Sequence, residues 1–243
     1  MPYAPTADYW AARAHNGVMT RTVRDGALLL ESMAGPDPRD PLSIDAPPDR
    51  YLAACDGDLR GLRVVWSGSL GYAPVDPEVR ALCEAAARRF ADFGCTLDTR
   101  DPGWPDPLDF HKIIYEVSVA SRQIDRFREH PEWIEPTLRV MIENAQRVTA
   151  IEHGKALLAR SAFYEQARRF FDTCDLLLTP QMPVGAWAAD PGPGPQQGPT
   201  EIAGRPTPTM FHRLPFTYPF NLSGHPAATV RAGPSRRDLS HLL

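Results

Sequence analysis

Two serines stand where a nucleophile could lie. The residues 63–72, RVVWSGSLGY, place Ser67 and Ser69, together with two glycines, directly after a short apolar run. In serine-dependent amide hydrolysis the nucleophile often lies on a tight turn that follows a strand. Because a serine attacks a carbonyl only when a neighbouring group takes its proton, a base must also be found.

The chain offers few bases of the required kind. Its two lysines, Lys112 and Lys155, both lie in stretches with helical spacing and no serine pair nearby, so we expect them at solvated helix positions rather than in a Ser/Lys dyad. A Ser/His/Asp triad can be drawn from any chain of this size, because triads are recognised by geometry and not by sequence position.

Metal and cofactor sites are not expected. The seven histidines are scattered without an HExxH motif, and the four cysteines lack CxxC spacing. The segment GPGPQQG (192–198) resembles a Gly-rich phosphate loop, but its prolines lack the N–H groups that hold phosphate. We therefore predict no metal and no cofactor.

Charge and hydropathy exclude two classes of partner. The net charge is -4 and 23% of the residues are charged, with both signs interspersed, so no basic surface for nucleic acid or an anionic membrane is expected. The longest apolar runs are far shorter than the roughly 20 residues of a membrane span. The first ten residues do not have the character of a signal peptide, which favours a cytoplasmic location.

The elements that must position these residues follow from periodicity and capping signals. A helix begins after Thr22 and ends at Gly35-Pro36, and LRVVW (62–66) is a buried strand. Asp76 and Pro77 begin a second helix that Gly94 closes, and CTLDT continues as a strand, which makes a parallel βαβ unit. The remaining predicted elements are helices over 106–128, 134–147 and 149–173, a strand over 175–180, and a long Pro/Gly-rich loop over 181–208.

Four blocks in this order resemble the amidase signature family of carboxamide hydrolases. GVMTRTVRDGALLLESMAGPDPRDP (17–41) is similar to the family's GPMxRTVxDxAxxLxxMAGPDPRDP block, with Val18 where proline is usual. The other three blocks are LRGLRVVWSGSLGYAPVDPEVRAL (59–82), DLLLTPQMP (175–183) and PFTYPFNLSGHPAATV (215–230). The resemblance implies that the WSGSLGY segment is a structural turn and that Ser67 and Ser69 are not nucleophiles.

The resemblance also implies what this chain lacks. The family's nucleophilic serine, its second serine in a cis peptide and its lysine base precede the block at 17–41, and the sixteen residues before Gly17 contain neither serine nor lysine. No catalytic residue is therefore carried over. By position, the resemblance suggests five substrate-binding neighbours, namely Tyr115, Glu116, Thr179, Gln181 and Asn221. A packing or capping role is the alternative for each of them.

The expected fold is α/β: a single incomplete amidase-like domain over 1–243, with a mixed sheet flanked by helices and without the family's N-terminal strands and its C-terminal strand and helix. The expected function is that of a truncated, inactive portion of an enzyme that hydrolyses a carboxamide C–N bond to acid and ammonia. Alternatives are a non-catalytic binding module and one half of a split amidase. The expected partners are a small amide in the complete enzyme, a missing N-terminal half or a second copy of the chain.

Overall fold

A computed structural model describes residues 15–45, 50–187 and 198–233. The chain divides after Arg60 into two compact units. This division is based on the contacts within each unit and does not test whether the two units fold together. The single incomplete domain over 1–243 therefore stays a prediction. The N-terminal decapeptide and all of GPGPQQG except Gly198 lie outside the described residues.

The first unit contains two helices, α1 (Val23–Met33) and α2 (Tyr51–Ala54). Thr22 caps α1: its Oγ1 accepts a hydrogen bond from the N–H of Asp25 at 3.2 Å and donates to the Asp25 carboxylate at 2.7 Å. The helix therefore begins where the sequence predicts. No residue of α1 is buried, and Leu28, Leu29 and Met33 are all exposed.

The second unit is built on a parallel sheet with the strand order β2-β1-β3. Its strands are β1 (Arg63–Trp66), β2 (Thr96–Thr99) and β3 (Leu176–Leu178), and its longer helices are α3 (Pro77–Asp92), α4 (Leu108–Glu129), α5 (Pro136–Ala145) and α6 (Ala150–Phe171). The predicted cap of α3 is confirmed, because Asp76 accepts from the N–H groups of Glu78 and Val79. The structure also shows a complete capping box between Thr149 and Glu152 at the start of α6.

Two apolar clusters hold this unit together. The larger joins the sheet to α4, α6 and the segment 216–222, with Val65, Trp104, Phe163 and Phe170 at its centre. Trp104 packs edge-on against Phe163 and Phe170 with centroid distances of 5.5 and 5.6 Å. The smaller lies around α4 and α5 and includes Ile142, which is fully buried. The helices thus cover the sheet as in an α/β fold, which confirms the predicted class.

The predicted loop over 181–208 contains structure that the sequence did not indicate. Strands β4 (Glu201–Ile202) and β5 (Arg205–Pro206) pair antiparallel through a two-residue turn at Ala203 and Gly204. Both turn residues have positive φ, 47° and 79°, as a type I′ turn requires. Alanine is uncommon in that conformation, so the sequence carries no recognisable signal for this turn. Ile202 and Thr207 are buried, so this part of the segment is not an exposed loop.

Two short 3₁₀ helices, Pro131–Trp133 and Met210–Arg213, and one short α-helix, α7 (Tyr218–Ser223), complete the second unit. The α7 helix ends at Gly224 in the left-handed region, with φ 72°. It contacts both α4 and α6. The sheet itself is parallel throughout, and the antiparallel pairing is confined to β4 and β5.

Candidate functional site

The carboxyl edge of the parallel sheet is the first place to look for a site, because ligands of open α/β sheets bind at the carboxyl ends of strands. Strands β1 and β3 are parallel neighbours, so Ser67 and Thr179, which follow them directly, lie at this edge. The N–H of Ser67 donates to the carbonyl of Leu178 at 3.0 Å, which extends the pairing to the strand ends.

The hydroxyl of Ser67 is fully engaged in structural hydrogen bonds. Its Oγ donates to Oδ1 of Asp101 at 2.6 Å and accepts from the N–H of Leu70 at 2.9 Å. Leu70 has φ 53°, a conformation rare for leucine, and the bond to Ser67 holds it there. With 1% of Ser67 exposed, an amide carbonyl has no access to it. Ser67 is a turn residue.

Ser69 has the same kind of role. Its Oγ accepts from the N–H of Gly71 at 3.2 Å, and its carbonyl accepts from Tyr72 and Ala73 at 3.1 and 2.8 Å. The two lysines lie on helices outside this turn. Nζ of Lys112 on α4 lies 3.9 Å from Oε1 of Glu116, and Lys155 is exposed on α6. The WSGSLGY segment therefore lacks the arrangement of a Ser/Lys dyad.

A second concentration of chemistry is an aromatic cluster, defined as His111, Tyr115, Phe211 and Tyr218. The His111 ring stacks on Tyr218 with centroids 4.9 Å apart and an interplanar angle of 20°. Phe211 meets His111 and Tyr115 edge-on at 5.4 and 5.3 Å. The cluster joins α4, the 3₁₀ helix Met210–Arg213 and α7. It therefore fixes α4 against two elements that are about 100 residues further along the chain.

Two phenols, Tyr218 of this cluster and Tyr72, are hydrogen-bond donors. The Tyr218 hydroxyl donates to Oδ1 of Asp106 at 2.9 Å, and the Tyr72 hydroxyl donates to the carbonyl of Pro215 at 3.3 Å. Burial, followed by the charge of Asp106, raises the pKa of both phenols well above its usual range. Both hydroxyls therefore keep their protons, which they donate to these two acceptors, and they cannot act as bases.

Glu116, one of the five predicted pocket residues, connects two helices. Its Oε1 accepts from Nδ2 of Asn144 at 3.2 Å, which links α4 to the end of α5. The residue is buried, and this burial raises the pKa of its carboxyl, while Asn144 and Lys112 oppose the shift. The observed contacts are those of a residue that fixes the helix pair.

The other four predicted residues lie in two places. Tyr115 is half-buried on α4 in the aromatic cluster, and Asn221 is half-buried on α7, which contacts α4. Thr179 and Gln181 follow β3, the first half-buried and the second exposed. The structure thus places Tyr115 and Asn221 on neighbouring helices, and it places Thr179 and Gln181 after the carboxyl end of β3.

Sequence reasoning missed a buried cation, Arg213, which is 2% exposed. Its Nε donates to the carbonyl of Pro199 at 3.0 Å, and Thr207 donates to the same carbonyl. Within the described part of the chain, its Nη2 has no hydrogen-bond partner, and burial lowers the pKa of the group. Nothing in the local sequence signals this burial, since arginine is mostly exposed.

The aromatic cluster also escaped sequence reasoning, although part of its signal was present. His111 and Tyr115 are four residues apart, so on a helix they share a face. Their partners Phe211 and Tyr218 are far along the chain, and only the fold brings them near. Across the described ranges, no group of three or more His, Cys, Asp or Glu residues is placed to hold a metal ion. No described helix is both long and apolar enough to cross a bilayer.

Removing the Ser67 hydroxyl should destabilise the protein. We expect Ser67→Ala to lower the free energy of unfolding by about 1–3 kcal/mol, because it leaves the buried Leu70 amide without a partner and removes the bond to Asp101. Ser69→Ala, which removes a longer bond in the same turn, is the matched control and should cost less. Urea denaturation measures both, and an equal effect in the two variants would contradict the structural role of Ser67.

The stability contributed by Glu116 should depend on pH. Since burial raises its pKa in the folded state, its contribution is complete below the ordinary value of 4.5 and is lost as pH rises through the raised pKa. Glu116→Gln stays neutral and keeps an acceptor for Asn144. The unfolding free energy of the variant, relative to the natural chain, should therefore increase from pH 4 to pH 7. Glu143→Gln, exposed on α5, is the control, and an equal increase there would contradict this assignment.

Comparison with known proteins places these features in a family. The Amidase family model matches residues 1–240. The chain is 35% identical over 223 residues to an acylamidase from Rhodococcus erythropolis, covering 90% of this chain and 46% of that protein. It is 32% identical over 247 residues to a subunit of the glutamyl-tRNA(Gln) amidotransferase from Rhodospirillum rubrum, covering 92% of this chain and 47% of the relative.

Solved structures agree. A bacterial aryl acylamidase of the amidase signature family superposes with a TM-score of 0.84 at 29% identity, and the match covers 97% of this chain and 50% of that enzyme. The chain thus spans about half the length of the curated relatives it matches. The family match, the 35% identity and the shared fold together show that this chain belongs to the amidase signature family.

Proposed function

We propose that this chain forms the substrate-binding and supporting half of an amide hydrolase whose nucleophile lies in the other half of the fold. The observation that supports this most strongly is the engagement of Ser67: its hydroxyl is buried and bonded to Asp101 and Leu70. Membership of the family supports amide hydrolysis as the reaction. Because the chain matches only about half of each relative, the remaining half of the fold is proposed to carry the nucleophile.

The proposed reaction is serine-dependent acyl transfer. A serine Oγ of the other half attacks the carboxamide carbonyl while its base takes the proton, and the C–N bond breaks as the nitrogen leaves protonated. Water then attacks the acyl-serine and releases the acid. Backbone N–H groups of the other half stabilise the oxyanion. The residues of this chain bind and orient the amide beside that centre.

The proposed substrate contacts come from the predicted residues as the structure arranges them. Tyr115 and Asn221, on neighbouring helices, form one wall, and Thr179 and Gln181 after β3 form another. Glu116 acts indirectly by tying α4 to Asn144. The aromatic cluster to which Tyr115 belongs favours an aromatic group on the acyl or amine side of the substrate, since ring stacking adds binding energy to area burial. The aryl acylamidase of similar fold supports this substrate class.

The proposed partners are the amide itself and a polypeptide that completes the fold. The amidotransferase relative is by name one component of an enzyme with several chains, which supports function in an assembly. Self-assembly of this chain is the alternative arrangement of the second half.

Reconstitution tests this function. We expect this chain alone to leave an aryl-acyl p-nitroanilide intact, and to hydrolyse it when mixed with the part of the Rhodococcus acylamidase that it does not match. Tyr115→Ala should raise KM of the mixture about tenfold with a smaller effect on kcat, because it removes binding shared by substrate and transition state.

Tyr164→Ala, at an exposed position of α6, is the matched control and should leave both constants unchanged. Hydrolysis by the isolated chain would refute the division between the halves. Binding of the anilide by the mixture without turnover would favour a binding module instead.

A further inference from the structure

Arg213 is a buried cation without a counter-charge among the described residues. It lies at the end of the 3₁₀ helix Met210–Arg213 and is 2% exposed. Burial lowers the pKa of its guanidinium, and no carboxylate of a described residue opposes this shift. A buried charge is costly unless it is paired or fully hydrogen-bonded. The described residues thus leave a positive charge that an anion would stabilise.

The guanidinium of Arg213 is only partly hydrogen-bonded. Its Nε donates to the carbonyl of Pro199 at 3.0 Å, and the Thr207 hydroxyl donates to the same carbonyl. The buried Nη2 has no hydrogen-bond partner within the part of the chain that the structure describes. Bonds between arginine and a carboxylate are charge-assisted and strong, so a carboxylate is the acceptor that suits this open donor best.

The chain segment next to this guanidinium is a short hairpin. Pro199 and Thr207 flank the strands β4 and β5. At Gly198, whose φ is 96°, a Cβ would lie 2.8 Å from Cε2 of Trp187 and 3.1 Å from Cδ of Arg213. Trp187 is 38% exposed, so the packing over the arginine stem reaches the surface. A hairpin of this size is marginally stable, and its local opening can admit a small ligand.

The same 3₁₀ helix connects this cation to the aromatic cluster. Phe211 precedes Arg213 by two residues, which is about 4 Å along a 3₁₀ helix. The Phe211 ring meets Tyr115, a residue of one proposed substrate wall, at 5.3 Å. One short element therefore carries both a buried cation and a ring that contacts the proposed wall. A ligand with an aromatic ring and a carboxylate matches these two features.

We propose that Arg213 binds the carboxylate of an aromatic ligand, with Nη2 as the donor to one carboxylate oxygen. The ligand pairs the buried charge and satisfies the open donor at the same time. Two ligands share this chemistry: an amide whose aromatic group carries a carboxylate, and the aromatic acid that amide hydrolysis releases. The site rests on the surroundings of Arg213, whereas the identification of its ligand as substrate or product rests on the proposed function.

Binding of two matched anilides to the natural chain tests the assignment. The probes p-acetamidobenzoate and acetanilide share the ring and the amide and differ in the carboxylate. We expect p-acetamidobenzoate to bind about tenfold more tightly in isothermal titration calorimetry, because a charge-assisted hydrogen bond is stronger than a neutral contact. Benzoate separates the two sources of the carboxylate. Weaker binding of benzoate than of p-acetamidobenzoate supports a substrate site, and equal binding supports a site for the product acid.

Two methionine variants form a matched pair. Arg213→Met removes the buried charge, and the carbonyl of Pro199 keeps Thr207 as its donor. Without ligand, we expect this variant to melt no lower than the natural chain, because an uncompensated buried charge is removed. It should bind the two anilides with equal affinity. Arg205→Met removes an exposed cation of the same hairpin, which donates to the Tyr72 carbonyl, and should keep the preference for the carboxylate.

Each contrary outcome overturns the carboxylate site. Equal affinity of the natural chain for the two anilides does so without any variant, and therefore decides the question even if Arg213→Met fails to fold. A preference that persists in Arg213→Met, or that Arg205→Met abolishes equally, also overturns the site. Sulfate that binds as tightly as benzoate overturns it in favour of a general anion site.

Hydrolysis by the reconstituted mixture keeps this inference separate from the proposed function. If the mixture hydrolyses the p-nitroanilide and the natural chain shows no preference for the carboxylate, the Arg213 site is refuted and the proposed function stands. If the preference depends on Arg213 and the mixture is inactive, the site stands and the proposed function is refuted.

Discussion

The pair of hydrogen bonds made by the Ser67 hydroxyl is the constraint on which the second unit depends. It joins the end of β1 to Asp101 beyond β2 and holds Leu70 in a left-handed conformation. Leu70 is fully buried in the core beside Trp104 and Phe163, so the turn also positions the packing beneath it. A hydroxyl held in this way stabilises the scaffold and is not available for nucleophilic attack.

The features that could bind a substrate lie around this scaffold. Parallel pairing brings the ends of β1 and β3 to one edge, and the aromatic cluster fixes α4 against α7. Tyr218 reaches Asp106 across 112 residues of sequence, and both tyrosines near that carboxylate stay protonated because their pKa is raised. Among the described residues, the parallel sheet ends at the apolar strand β3.

Local signals predicted the elements well. The caps at Thr22 and Asp76 are hydrogen bonds within four residues, and helical or strand periodicity is a property of short windows, so both can be recognised in sequence. The family blocks correctly identified the Ser67 segment as a turn. What could not be predicted depends on long-range placement: the partner of Glu116 on α5, the stacking of His111 on Tyr218 and the burial of Arg213. The turn at Ala203 was missed because its conformation opposes the preference of alanine.

The most direct test of the central claim is labelling of the folded chain with a serine-directed fluorophosphonate, read by intact mass, with heat-unfolded protein as the control. The account predicts no adduct specific to the folded form, because Ser67 and Ser69 are held as turn residues without a base. A single stoichiometric adduct on the folded chain, lost on unfolding, would show an activated serine and would contradict it.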